Sequence, residues 1–566
     1  MSCDNRGFSL IDVIVGVALM LVLFLALFGI LRASLDLSTL TKAKSAAVEI
    51  ASTQMEYLRG LSYDALGTSN GIPAGNIQQM ATTTVDGISY SVRTFIEYYD
   101  DPADGVGAAD TNGITTDYKI GKVTVSYILY GQNKSVSIVS NFAPPGVEAA
   151  TNGGTLSLHI VGATGANISN ASVQIINTAT TPTINFVTFS DANGLVTIGG
   201  AATSSQYQIQ VSRPGYSSAQ TYARTTQNAN PTPGYLTVVK NQTTSATFAI
   251  DRLATLQLSS FGVATTTTFT DTFINTANLA SQTNTQVGGG ELTLAPNTLS
   301  GSAHSISFTP NYIDGWGILS ASLATSTGTS MVLHVDDTSG VPLPDSVLPG
   351  NSTGFSSFPV SLTGIATSSY PGLTLEADLT SNSTTTTPAL LDWSLSHTEG
   401  PAPYPNLPFT LTGAKTIGTD SNGTPIYKTI VSDTTGATGA VSESLEWDAY
   451  TLTLGSVSLL ESCIPSPYVL NPGDATSSSL LIGTPTGNIL PVQITNSSGS
   501  PIPAKVILTT NTYAATLPTS ACGFAYFNGL PPGTYTATVS ATGYTTTAFP
   551  NLSVSKNTAT TTLTLP

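Results

Sequence analysis

The run from Val13 to Leu31 carries no charge and is almost wholly apolar, and Arg32 closes it. As a helix it would rise roughly 28 Å at 1.5 Å per residue, close to the ~30 Å hydrocarbon core of a bilayer. A secretory signal has a shorter apolar region with a small-residue cleavage site behind it; here the run is longer and nothing of the type Ala-x-Ala follows. The chain therefore starts from a membrane-spanning helix. Asp12 stands at the start of the run. A carboxylate at that depth costs a few kcal/mol and calls for a cationic partner.

Beyond the run, Leu40, Ala43, Ala47, Ile50, Ala51, Leu58 and Leu61 recur at helical spacing, and no proline occurs before Pro73. The spacing predicts one helix from Phe8 to about Leu61, roughly 80 Å long. Its second half would offer an apolar stripe to a sheet. Gly29 predicts mild local melting within it.

The residues ahead of the run, Arg6-Gly7-Phe8-Ser9-Leu10-Ile11-Asp12, resemble the prepilin cleavage motif of type IV pilins and pseudopilins: a Gly, then Phe-Thr-Leu-Ile-Glu, then an apolar helix. The resemblance implies that residues 1–7 are a leader, that a prepilin peptidase cuts between Gly7 and Phe8, and that the amine of Phe8 is methylated. It implies that Asp12, as fifth mature residue, pairs with the N-terminal amine of a neighbouring subunit. Such pairing in a low-dielectric filament core is strong and fixes axial register. This chain has Asp where the family has Glu. The leader is barely basic, Arg6 being offset by Asp4, so an N-terminus-inside orientation in the cytoplasmic membrane rests on the motif rather than on flanking charge.

The other residues read as β-structure. Only 9% of the 566 residues are charged, the net charge is −16, and 40% are hydrophobic. Cores can form, while Ser, Thr, Asn and Gly must supply most of the polar surface, which suits exposed β-sandwiches. With 17 Lys and Arg in an acidic chain there is no broad basic face, and nucleic acid is excluded as a general partner. The fold class expected is mainly β: a long transmembrane helix (8–61) on a small pilin-like sheet (62–146), followed by a string of β-sandwiches. Within the sheet region lie Asp100, Asp101, Asp104, Asp110 and Asp117. Their hard oxygens could hold calcium, as some pseudopilins do in the corresponding loop, but Asp is also a default turn residue and the spacing is not that of an EF-hand.

Three later segments share a layout in which a turn of Asp, Asn or Gly leads to a strand carrying Tyr. They are Asp191-Ala-Asn-Gly194 with Tyr207, Asp433-Thr-Thr-Gly436 with Tyr450, and Cys522-Gly523 with Tyr535. The layout resembles the carboxypeptidase regulatory-like (Cna B-type) domain, which implies seven-stranded Greek-key sandwiches at 150–252, 402–460 and 464–566. Some relatives are stapled by a Lys–Asn isopeptide bond that needs a buried Glu. The first copy, and the last from 485 onward, contain no Glu. Residues 254–398 lack the layout. Phe269-Thr-Asp-Thr-Phe273 and Leu390-Leu-Asp-Trp-Ser-Leu395 resemble strands of laminin-G-like and carbohydrate-binding jelly rolls. That resemblance makes Tyr312, Trp316 and Trp393 candidates for an aromatic glycan platform. Strand alternation sets Trp393 with Leu391 and Leu395, which favours a core role.

With Cys3 in the leader, Cys463 and Cys522 read as a disulfide in an oxidising compartment, the alternative being two buried thiols. Cys463 is expected in an extended linker ahead of the last sandwich. The histidines, 159, 304, 334 and 397, show no metal-binding spacing. Gly350-Asn-Ser352-Thr-Gly354 matches a hydrolase elbow in letters but lacks its strand-turn-helix setting. No catalytic residue is assigned, and no cofactor other than calcium. The expected role is a structural subunit, minor or tip, of a type IV pilus-like surface filament that displays sandwiches for adhesion, with surface glycans as one candidate ligand. Its expected partners are the peptidase, other pilin subunits, the assembly platform and the membrane. A pseudopilin of a type II-like secretion system and an anchored adhesin that never assembles are the alternatives.

Overall fold

The structure, a computed structural model, describes residues 10–103, 105, 114, 116–145 and 153–566. It is mainly β with one long apolar N-terminal helix. The chain divides into two compact units, Met1–Leu253 with Lys415–Lys428, and Ala254–Ala414 with Thr429–Pro566.

In the first unit the helix Leu10–Arg59 runs unbroken through Gly29, so the expected local melting is absent. One isolated glycine costs about 1 kcal/mol against alanine, which a fifty-residue helix absorbs. The C-terminal half lies on a four-stranded antiparallel meander, Met80–Val85, Ile88–Tyr99, Tyr118–Leu129 and Gln132–Phe142. Ala43, Ala47, Ala51, Met55 and Leu58 bury against Tyr90, Val92, Ile96, Val123 and Val125. Three alanines on one face let the backbone approach closely, and Tyr90 Oη donates to the Ala43 carbonyl at 3.2 Å. The meander also packs on the first sandwich. Phe95 and Phe186 stack with centroids 6.0 Å apart, and Arg93 donates to the Val187 carbonyl.

The first sandwich has one sheet in the order Thr243–Ala249, Gly153–Val161, Leu195–Ala202. Its other sheet runs Ala219–Gln220, Ser204–Ser212, Ser172–Asn177, Ile184–Phe189. Its first strand pairs parallel with its last. Also in this unit, the hairpin Thr416–Thr419 and Pro425–Tyr427 pairs with Asn230–Pro231, and Lys428 Nζ donates to the Ser218 carbonyl at 2.7 Å.

The second unit repeats this strand order twice. The C-terminal copy orders Thr561–Thr564, Asn488–Thr495, Phe524–Leu530 in one sheet and Thr547–Ser553, Thr534–Ser540, Lys505–Thr509, Ala514–Pro518 in the other. The middle copy orders Ala475–Ile482, Ala254–Gly262, Ala440–Leu445, with Leu459–Ser462 added at the edge, over Tyr468–Leu470, Asp448–Leu454, Pro408–Gly413, Ile430–Thr434. The middle sandwich is thus discontinuous: its first strand is 254–262, its last 475–482, and a separate two-sheet domain is inserted between its first two strands. The boundaries expected at 254, 402 and 464 differ from this because an alternating β run reads the same whichever sheet receives it. The insert begins and ends on neighbouring antiparallel strands, Thr265 opposite Glu399, so its two ends lie side by side.

The shared turn-and-tyrosine layout has a physical basis in each copy. Tyr207, Tyr450 and Tyr535 are buried, and their hydroxyls donate to the carbonyls of Ala202, Glu446 and Pro531 at 2.8, 3.0 and 2.7 Å. This latches the strand onto the chain just before it, as tyrosine corners do. The turn glycine is structurally equivalent too. Gly194, Gly439 and Gly523 have φ of 73°, 74° and 72°. A Cβ there would meet the carbonyl oxygens of Ile160, Ser260 and Ile494 at 2.4, 2.5 and 2.5 Å. In the middle copy the equivalent residue is therefore Gly439 rather than Gly436.

Candidate functional site

The first half of the helix is the largest exposed apolar surface among the described residues. Side chains from Ile14 to Leu31, including Leu19, Leu23, Phe24, Leu27 and Phe28, are exposed around the whole circumference. The helix is long and apolar enough to cross a membrane. A water-facing patch of this size is not tolerated by a soluble monomer; lipid or other helices must cover it. Below Arg32 the character changes: Asp36, Lys42, Lys44 and Glu49 share the helix with the alanine stripe that holds the sheet. One helix thus joins an apolar arm to a folded head. Asp12 falls within the helix, while Gly7 and Phe8 lie outside the described residues.

Of the five acids considered for calcium, Asp104 and Asp110 lie outside the described residues. The other three converge at one end of the meander. The Asp101 amide donates to Asp117 Oδ2 at 2.5 Å, and the Ala103 amide to Asp101 Oδ1 at 3.1 Å. Asp101 thus forms a local turn, the role expected of Asp in a connection, while Asp117 ties the two ends of the connection together.

The aromatic platform needs correction. Trp316 and Trp393 are fully buried in the core of the inserted domain. Trp316 Nε1 donates to the Tyr370 carbonyl at 2.9 Å, and Trp393 packs on Phe273 at 5.4 Å between centroids. Only Tyr312 is exposed. Indole rings this large bury far more apolar area in a core than on a surface, and the core takes them. Leu391, expected on the Trp393 face, is instead exposed, because Ser322 pairs with Asp392 and Leu323 with Leu390, leaving Leu391 in a bulge.

Cys463 and Cys522 form a disulfide with Cα atoms 5.4 Å apart. Cys463 does not lie in a free linker: it follows the edge strand Leu459–Ser462, and its amide donates to the Ser479 carbonyl at 3.2 Å. The bridge therefore joins the edge of the middle sandwich to the turn of the last one. Glu461 Oε1 sits 2.9 Å from Cys522 Sγ, and burial pushes its pKa up to about 7. A bridged sulfur has no proton to give, so this contact is a hydrogen bond only when Glu461 is protonated and donates. The folded chain then holds a proton that the unfolded chain releases above pH 4.5, the ordinary value. Stability falls as pH rises from 4.5 to about 7 and stays reduced above it. Glu461→Gln is expected to raise the melting temperature at pH 8 and leave it unchanged at pH 4, read by calorimetry at both. Equal shifts at the two pH values would show that Glu461 is not the titrating group.

Sequence spacing missed one constellation. Strand pairing sets both His304 and His334 directly opposite Glu376, with Asp336 and Asp378 beside them. The only sequence signal is that two strands carry His or acid at alternate positions, His334 with Asp336 and Glu376 with Asp378, while a third carries His304 alone. The hydrolase-like Ser352 bonds Asp345 through Oγ at 2.6 Å, and no helix follows it.

Residues 490–566 match the carboxypeptidase regulatory-like domain. No curated protein matches the chain. Among solved structures, the Bacillus anthracis TIE protein is similar at 11% identity, with 87% of this chain and 74% of that one covered and a TM-score of 0.17. BcpA, the major pilin subunit of Bacillus cereus, is similar at 10% identity over 73% of this chain and 99% of its own, TM-score 0.14. The RrgB pilus protein of Streptococcus pneumoniae is similar at 10% identity over 72% and 94%, TM-score 0.12.

Proposed function

We propose that this chain is a non-enzymatic structural subunit, minor or at the tip, of a type IV pilus-like surface filament, and that it displays its sandwiches for adhesion. The observation that carries the reading is the helix, whose apolar half is bare all round and whose other half is fixed to a sheet. Ahead of it stand Gly7-Phe8 and Asp12, the residues a prepilin peptidase and a neighbouring subunit would use. In the membrane the bare half stores the subunit in lipid with its N-terminus inside; in a filament the same surface packs against other helices. The large β cargo would crowd adjacent subunits along a shaft, which favours a rare or terminal position.

Protein extracted from membranes of the native host is expected to begin at a methylated Phe8, as read by intact mass and N-terminal sequencing. Retention of Met1 would overturn the filament reading and leave a plain membrane anchor.

A further inference from the structure

In the inserted domain the strands Ser300–Ser305, Thr374–Ser381 and Thr329–Asp336 are neighbours in one sheet. Directly opposed residues share a face, and so do residues two apart along a strand. His304, His334, Asp336, Glu376 and Asp378 therefore occupy one face, while Ala303, Leu333, Val335, Leu375 and Ala377 fill the core on the other. Two of the chain's 4 histidines meet three acids here, in a protein with only 9% charged residues.

Asp336 is fully buried, and neither of its carboxylate oxygens accepts a hydrogen bond. His304 Nδ1 stands 3.5 Å from Asp336 Oδ2, and Nε2 stands 3.3 Å from Glu376 Oε1. Both separations exceed the usual hydrogen-bond range of roughly 2.7–3.2 Å. A buried carboxylate without a hydrogen-bond donor is costly and is relieved by a positive group close by, which a protonated His304 or a bound cation can supply.

We propose that His304, Asp336 and Glu376 form a binding site for a divalent transition-metal ion of the zinc class. One imidazole nitrogen and two carboxylate oxygens leave the fourth, tetrahedral position to water. The two separations run from opposite nitrogens of His304, so the ring must turn for one nitrogen to meet an ion that both carboxylates also hold. The three ligand atoms all lie within 4.8 Å of one another, so side-chain rotation on fixed strands brings them onto one ion. The side chains of His304 and Glu376 are 27% and 18% exposed, so an ion enters from solvent, with Asp336 at the base. Calcium, which takes six to eight oxygens, suits this donor set poorly. His334 stands beside the site, its Nδ1 2.6 Å from the Asn351 carbonyl oxygen.

The test is a Zn²⁺ titration of the full chain, extracted in detergent and stripped with chelator, followed by calorimetry and with Ca²⁺ as the comparison ion. One Zn²⁺ per chain, a raised melting temperature with Zn²⁺ and no saturable Ca²⁺ uptake are expected. Asp336→Asn and Glu376→Gln should each weaken Zn²⁺ binding roughly tenfold or more. No saturable Zn²⁺ uptake by the folded wild type, or unchanged affinity in the variants that retain their sheet by circular dichroism, overturns the site. Should Asp336→Asn fail to fold, Glu376→Gln, at a partly exposed position, decides alone.

Discussion

Replacing Cys463 and Cys522 together by alanine is expected to lower the melting temperature of the second unit by on the order of 10 °C and to leave the helix and first sandwich unchanged. The bridge closes a segment with a sequence separation of 59, worth about 4 kcal/mol in the chain-entropy description. Domains of 150–250 residues shift by about 2–4 °C per kcal/mol. The bridge also holds the edge strand Leu459–Ser462 to the turn at 520–523, so its loss removes a covalent tie between two sandwiches and leaves the apolar contact of Phe261, Leu460 and Leu481 with Ile489, Phe524 and Tyr526. Scanning calorimetry of the full chain reads the shift. Alkylation of denatured, non-reduced protein checks the premise: two reactive thiols at these positions would refute the bridge.

In the proposed filament subunit, Asp12→Ala is expected to abolish incorporation into filaments while membrane insertion persists. Removing a carboxylate from the apolar run saves a few kcal/mol of insertion cost, so the variant enters the bilayer at least as well. What it would lose, in that reading, is the counter-charge for a neighbouring subunit's amine, which in a low-dielectric core would set register. Membrane fractionation and co-precipitation with other filament subunits separate the two effects. Normal incorporation of Asp12→Ala would show that the acid is not the assembly determinant; Asp12→Glu restores the family's residue and should assemble.

The helix and the β class were legible because their signals are periodic and local. Ala43, Ala47 and Ala51 mark a face at helical spacing, and the three tyrosines mark a strand that must bond back on itself. The discontinuity of the middle sandwich was not legible. Ala254–Gly262 alternates like any half-buried strand, and nothing within it names Ala475–Ile482 as its partner. The Trp393 face was anticipated from alternation, but the bulge at Leu391 slips that phase and is written only in the pairing with Ser322 and Leu323. For the same reason His304 and His334 showed no metal-binding spacing: their proximity to each other's acids belongs to sheet register and not to spacing along the chain.

The interrupted sandwich imposes an order on biosynthesis. Thr255 pairs with Ala475, 220 positions later (475 − 255). At roughly 5–20 residues per second, the strand Ala254–Gly262 waits tens of seconds after it emerges before that partner is made. Meanwhile the insert is completed once Glu399 meets Thr265, so it can fold as an autonomous plug while its host is still open. The waiting strand is an unpaired, alternating apolar edge, the kind of template that recruits foreign chains. The early-folded insert keeps the two ends of the host sandwich side by side, and so shortens the search by which the late strands find the first one.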